Sequence, residues 1–138
     1  MAIKKLKIHV GWSGNNFCCG LSEDIGGTVA VTAKTLPKLK ADFEESLRWH
    51  IEDCIADGDA LPDYIVSGNY ELDYELDTAA LLRCAELYTT MAAISRVTGI
   101  NQKLLSHYAN ALKKPRPAQR LRIVDDLHQI GRQCLAVQ

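Results

Sequence analysis

The first quarter of the chain alternates between apolar and polar residues, with the period of two that is typical of β-strands. Ile3–Val10 forms such a segment, Trp12–Asn16 supplies turn residues, and Phe17–Leu21 predicts the returning strand of a hairpin. After a loop, Thr28–Ala33 predicts a third strand, and Asn69–Leu76 predicts a fourth.

Between the third and fourth strands, apolar residues recur at steps of three and four, which predicts an amphipathic helix. Thr35 can cap the start of this helix and Gly58 can end it. The order β-β-β-α-β then places one helix on one face of a small antiparallel sheet, which is a stable two-layer arrangement. The apolar stripe consists of Leu36, Leu39, Phe43, Leu47, Ile51, Cys54 and Ile55.

The rest of the chain has helical periodicity throughout. We predict helices over Thr78–Leu87, over Met91–Thr98, from Asn101 to about Ala111, and from about Pro117 to Leu135. Gly99 separates the second of these helices from the third. The expected fold class is α+β, with a small βββαβ domain over residues 1–76 and an all-α domain over residues 77–138.

Charge divides the chain at nearly the same place, although the net charge is only −1. Met1–Thr78 holds 7 Lys and Arg against 14 Asp and Glu, a balance of −7, whereas Ala79–Gln138 holds 9 against 3, a balance of +6. Opposite signs suggest two different roles. The positive half suits a polyanion such as DNA, and the negative half suits a basic partner or serves solubility alone.

Composition and cysteine usage narrow the class of protein. The chain is 47% hydrophobic and 24% charged, as in globular proteins, and no apolar run could span a membrane or act as a signal peptide. Its five cysteines form no CxxC motif, which favours reduced thiols in a cytoplasmic protein. His50 and Cys54 have the i, i+4 spacing of metal ligands, but two ligands make a weak site and a packing role is favoured. We therefore expect no metal, no cofactor and no catalytic residue.

Two short helices joined by a Gly turn are the ingredients of a helix-turn-helix. Ser95 would allow close helix approach, while Ile94, Ile100 and Leu105 would face inward with Tyr108. The first turns of the following helix would then reach base edges in the major groove, and the basic segment after it would lie near phosphates. The predicted DNA-binding residues are Asn101, Gln102, Lys103, Ser106, His107, Lys113, Lys114 and Arg116.

Two segments resemble known families. The segment TMAAISRVTGINQKLLSHYANALKKPRP, Thr90–Pro117, resembles the helix-turn-helix of the phage-repressor-like (XRE/Cro) superfamily, with Ala111 where Gly is usual and Met91 where a polar residue is common. The segments IKKLKIHVGWSGNNFCCGL and GTVAVTAKTLPKLKADFEESLRWHIEDCIADG resemble HicB antitoxins. That resemblance implies a degenerate, shortened RNase H-like fold and no nuclease activity.

The resemblance also implies a function. HicB-like antitoxins neutralise a small basic, mRNA-cleaving HicA toxin through the N-terminal domain and repress their own operon through the C-terminal one, which implies operator DNA and a homodimer or higher homo-oligomer. The candidate toxin-binding residues are Trp12 and Phe17, unless both belong to the core. One alternative is a stand-alone transcriptional regulator whose first half senses a ligand or dimerises. A metal-dependent nuclease is the least favoured alternative.

Overall fold

A computed structural model describes residues 3–138. In this range the chain forms four strands and six helices, a mixed α/β architecture with one four-stranded sheet. These elements divide between two compact units, Met1–Asp77 and Thr78–Gln138. The boundary between the units lies one residue after the predicted position.

The strands of the first unit are β1 (Lys4–Ser13), β2 (Asn16–Leu21), β3 (Val29–Ala33) and β4 (Tyr70–Leu76), in the spatial order β3-β2-β1-β4. The hairpin turn is shorter than predicted, because strand pairing continues until Ser13 lies opposite Asn16. The two-residue loop that remains begins with Gly14 at φ 62°. A positive φ at the first loop residue matches the right-handed twist of the paired strands and favours glycine.

The sheet is mixed, so the prediction of an antiparallel sheet was wrong for one strand. β1 pairs antiparallel with β2, and β2 pairs antiparallel with β3, but β4 runs parallel to β1. β3 and β4 therefore run in the same direction at opposite edges. Parallel strands need a long crossover connection, which the helical segment between β3 and β4 provides.

Helix α1 (Leu36–Ala56) lies on the apolar face of the sheet and packs against β2 and β3. The predicted cap is confirmed, since the Thr35 hydroxyl accepts the Lys38 backbone N–H at 3.3 Å. The apolar stripe is narrower than predicted, because Ile55 is 50% exposed and Leu36 is half-buried. The helix residues in the core are Leu39, Phe43, Leu47, Ile51 and Cys54.

A short helix, α2 (Asp63–Ser67), lies between the predicted end of α1 at Gly58 and the predicted fourth strand, where we predicted no element. Pro62 precedes it and Gly68 ends it at φ 75°. This Pro-before, Gly-after arrangement is a known helix signal that the pattern of apolar residues did not reveal. At five residues α2 is too short to show a helical period.

His50 and Cys54 face the loop before β3. Nε2 of His50 donates to the carbonyl oxygen of Ile25 at 2.6 Å, and the Cys54 thiol lies 3.7 Å from the same oxygen. Burial and three nearby aspartates raise the pKa of the Cys54 thiol, which favours the protonated form that can donate. In residues 3–138 no group of three or more His, Cys, Asp or Glu side chains could hold a metal ion. The favoured packing role of this pair agrees with these contacts.

The two proposed toxin-binding aromatics pack within the first unit. Phe17 is only 5% exposed, and its ring meets that of Trp12 edge to face with 5.0 Å between centroids. Trp12 lies opposite Phe17 in the hairpin and is half-buried. Phe17 therefore belongs to the core between the sheet and α1, which is the alternative that the sequence left open for it, and it is not an exposed anchor. Trp49 is the exposed tryptophan of the chain, at 56%.

The second unit contains helices α3 (Thr78–Ala85), α4 (Met91–Thr98), α5 (Gln102–Ala109) and α6 (Pro117–Leu135). Helices α3, α4 and α5 each begin and end within two residues of the predicted positions. A single apolar cluster is surrounded by partly buried side chains, which are Leu81, Ala85, Met91, Leu104 and Leu127. The buried members of that cluster are Leu82, Ile94, Ile100, Leu105, Tyr108, Ala109 and Ile123.

The longest helices of the described residues are α1 and α6, and both carry charged side chains along their length. Within residues 3–138, no helix combines the length and the apolar character needed to cross a membrane.

Candidate nucleic-acid interface

The connection between α4 and α5 is held by side-chain hydrogen bonds. The hydroxyl of Thr98, which is fully buried, donates to the Ile94 carbonyl at 2.7 Å and accepts the Ile100 N–H at 3.1 Å. The Ser95 hydroxyl donates to the Ile100 carbonyl at 2.6 Å. Gly99 ends α4 at φ 74°, a conformation that an L-residue with a side chain rarely adopts. The turn is therefore held in one geometry.

α5 begins on the exposed side of this turn. The Asn101 side-chain oxygen accepts the Lys103 N–H at 2.8 Å, so Asn101 acts as the N-cap, and its amide NH₂ can still donate to an outside group. Gln102 and Lys103 are exposed in the first helical turn. The positive end of the helix dipole and the remaining backbone N–H groups favour an anion at this place.

The next turn of α5 is used partly for internal contacts. The Asn110 amide donates to the Ser106 carbonyl at 3.0 Å and lies 3.4 Å from the Ser106 hydroxyl. Ser106 and His107 are both half-buried. These two predicted DNA-binding residues are therefore less available than Gln102 and Lys103.

Arg83 is a supporting residue that sequence reasoning missed. Its Nε donates to the Ala109 carbonyl at 2.9 Å, and its guanidinium also contacts the side chains of Asn110 and Glu86. A cation that binds the last carbonyls of a helix is a common C-terminal arrangement. No signal in the sequence assigns it, because Arg83 is 26 residues from Ala109 along the chain. Arg83 thus ties α3 to the end of α5.

The basic segment between α5 and α6 borders a groove of about 640 Å³. Lys113, Lys114 and Arg116 are exposed cations on this groove, and their contact with phosphates stays a prediction. Apolar and amide groups join them in the lining of the groove. The other lining residues are Leu104, Tyr108, Ala118 and Gln119.

Ala111 turns the chain out of α5 in a left-handed conformation, at φ 58°. This geometry costs an L-residue about 1–2 kcal/mol, while glycine loses roughly 0.5–1 kcal/mol more backbone entropy on folding. We expect Ala111→Gly to raise the free energy of unfolding of the second unit by about 0.5–1 kcal/mol, as measured by urea denaturation.

Ala118→Gly provides the matched control, because Ala118 is exposed and lies in regular helix in the first turn of α6. Glycine there should lower stability slightly. Equal destabilisation by both substitutions would contradict a strained Ala111.

Comparison with protein families, with curated proteins and with solved structures finds no match for this chain. The exposed Gln and Lys at the start of α5, which follow a hydrogen-bonded turn, can contact bases of a nucleic acid. The three cations beyond the end of α5 can contact its phosphates.

Proposed function

We propose that this chain is a HicB-like antitoxin that also represses transcription. Its second unit binds operator DNA through α4 and α5 as a helix-turn-helix of the XRE/Cro type. Its first unit, a degenerate RNase H-like domain, binds and neutralises a small basic HicA-like toxin. A homodimer would present two copies of α5 to two half-sites of one operator.

The observation that carries the proposal is the exposed N-terminal turn of α5. Gln102 and Lys103 follow a capped, hydrogen-bonded turn, so their backbone positions are determined before any ligand arrives. Gln can form two hydrogen bonds to adenine, and Lys can donate to guanine. The charge of the unit agrees with this role, since Ala79–Gln138 carries a balance of +6.

Sequence reading through α5 has a direct test. We expect Gln102→Ala and Lys103→Ala each to weaken binding to the preferred duplex by about 1–3 kcal/mol and to relax preference at one base position. The preferred duplex is obtained by selection from a randomised pool with the wild-type chain, and affinities are measured by fluorescence anisotropy.

The matched control is Gln129→Ala, because Gln129 is an exposed Gln on α6, away from α5. It should select the same duplex with unchanged affinity. If the wild-type chain enriches no sequence, or if Gln102→Ala and Lys103→Ala keep the wild-type preference, α5 does not read bases.

The antitoxin role is tested in cells. We expect co-expression of the full chain to restore growth to cells that produce the small basic toxin encoded beside it. A gene neighbourhood without such a toxin, combined with selective DNA binding, would favour the alternative of a stand-alone regulator. The acidic balance of −7 in Met1–Thr78 supports the antitoxin, because charge complementarity with a basic protein speeds association.

A further inference from the structure

Trp49 is an exposed aromatic residue in the middle of a long, well-packed helix. Its side chain is 56% exposed, whereas Leu47 and Ile51 on the opposite side of α1 are 1% and 8% exposed. An exposed Trp keeps a large apolar area in contact with water, and Trp is among the residues that contribute most to protein–protein binding. Its place on α1 is not explained by the core of the first unit.

Carboxylates surround Trp49 on the surface of α1. Glu45 and Asp53 are four residues away on either side and Glu52 is three away, so all lie on the same helix face as the indole. All three are exposed, and none has an ion-pair partner within 4.0 Å among residues 3–138. Their charge is therefore available to a partner.

The excess of negative charge extends beyond these three residues. From Glu45 to Asp63 the chain holds 6 Asp and Glu against 1 Arg, a balance of −5. Ile55 adds a second exposed apolar side chain, at 50%. An apolar centre with acidic surroundings matches a partner surface that combines cations with an apolar contact.

We infer that the Trp49 face of α1, formed by Trp49, Glu45, Glu52 and Asp53, is the docking surface for a basic protein partner. This inference rests on the proposed antitoxin function and names the surface that performs it. It replaces the hairpin aromatics of the sequence-based prediction with a residue that solvent can reach. The same face of a second copy is a less favourable occupant, because it would bring like charges together.

The surface needs little rearrangement before binding. α1 is 21 residues long, is capped by Thr35 and is held on the sheet by buried side chains along its length. A partner therefore does not have to order the backbone, which would otherwise reduce the affinity. The indole contributes apolar contact, and the carboxylates contribute attraction that decreases with salt.

The first experiment maps binding on the full chain with a synthetic peptide of Lys, Arg and Leu residues. The control peptide carries Glu in place of Lys and Arg. We expect the basic peptide to shift the Trp49 indole resonance in NMR spectra while the Trp12 indole stays unchanged. Trp49→Ala should lower the affinity for the basic peptide by about tenfold or more, as expected for an interface hot spot.

The charged part of the surface is tested with a matched pair of variants. Glu45→Gln and Asp53→Asn together should weaken binding at low salt and flatten its salt dependence. Glu71→Gln and Asp73→Asn remove exposed carboxylates of β4 in the same unit and should have a much smaller effect. Equal loss in both variants, or peptide shifts that are absent from α1, would overturn the proposed surface.

A second measurement separates the surface from the function. If the full chain neutralises the toxin encoded beside it and Trp49→Ala neutralises equally well, the docking surface is wrong while the antitoxin function stands. If the peptide binds at Trp49 but the chain does not neutralise that toxin, the function is wrong while the surface stands. Trp49→Ala should leave DNA binding unchanged, because Trp49 belongs to the other unit. Self-association that Trp49→Ala abolishes, with peptide binding intact, would make this face a contact between copies and overturn the inference.

Discussion

Replacement of Lys113, Lys114 and Arg116 together by Gln should weaken binding to every duplex DNA sequence by a similar factor. These cations are exposed on the groove beside α5 and lie outside the helix that is proposed to read bases. Each phosphate contact contributes about 0.9 to the slope of log affinity against log salt, so the loss of three should reduce the slope by about 2.7. At about 0.1 M salt, that difference corresponds to nearly three orders of magnitude in affinity.

The matched control changes net charge by the same amount in the other unit. Lys5, Lys34 and Arg48 are exposed cations of the first unit, and their joint replacement by Gln should leave the salt slope nearly unchanged. Fluorescence anisotropy titrations at several salt concentrations, with the selected duplex and with a scrambled one, give the affinity and its salt slope. A slope that falls equally in both triple variants would mean that DNA responds to net charge rather than to this groove.

The second large effect concerns the core behind the proposed DNA-binding surface. Leu105 is fully buried in α5 and belongs to the apolar cluster of the second unit. Leu105→Ala should lower the free energy of unfolding of this unit by about 2–5 kcal/mol, from lost burial and the cavity left behind. The free energy of unfolding of a domain of this size is only about 5–15 kcal/mol. The destabilisation is therefore large enough to abolish DNA binding at elevated temperature.

Leu121→Ala provides the control, because Leu121 is 60% exposed on α6 of the same unit. Its effect on unfolding should be within about 0.5 kcal/mol. Calorimetry of the full chain measures both variants, and the unfolding of the first unit should not change in either. If Leu105→Ala and Leu121→Ala have the same small effect, the packing described for α5 is wrong.

These two predictions distinguish two ways of losing DNA binding. The cation triple variant should keep its unfolding temperature and lose affinity, whereas Leu105→Ala should lose stability first. Ala111→Gly should change stability in the opposite direction and leave the exposed side chains of α5 in place. The three results together show whether a change acts on the interface or on the helices that support it.

Several features of this protein follow from sequence pattern alone. The period of two in β1 and the steps of three and four in α1 determine which faces are apolar, and Leu6, Ile8, Phe43 and Leu47 are buried accordingly. Gly99 with Thr98 and Asn101 marks the turn between α4 and α5, because left-handed backbone and helix capping depend on local residue type. The exposure of Gln102 and Lys103 was also predictable, because their positions in the helical period place them away from the apolar face of α5.

The tertiary structure decided what depends on residues far apart in sequence. It set β4 parallel to β1, because strand direction depends on the path of the connection and not on the alternation of side chains. It also buried Phe17 and left Trp49 exposed, since both are large aromatics on amphipathic elements and only the packing of α1 on the sheet separates them. The contact of Arg83 with the end of α5 is of the same kind. Local periodicity determines the faces of each element, but the choice of neighbour for each face is made by long-range packing, which no single segment encodes.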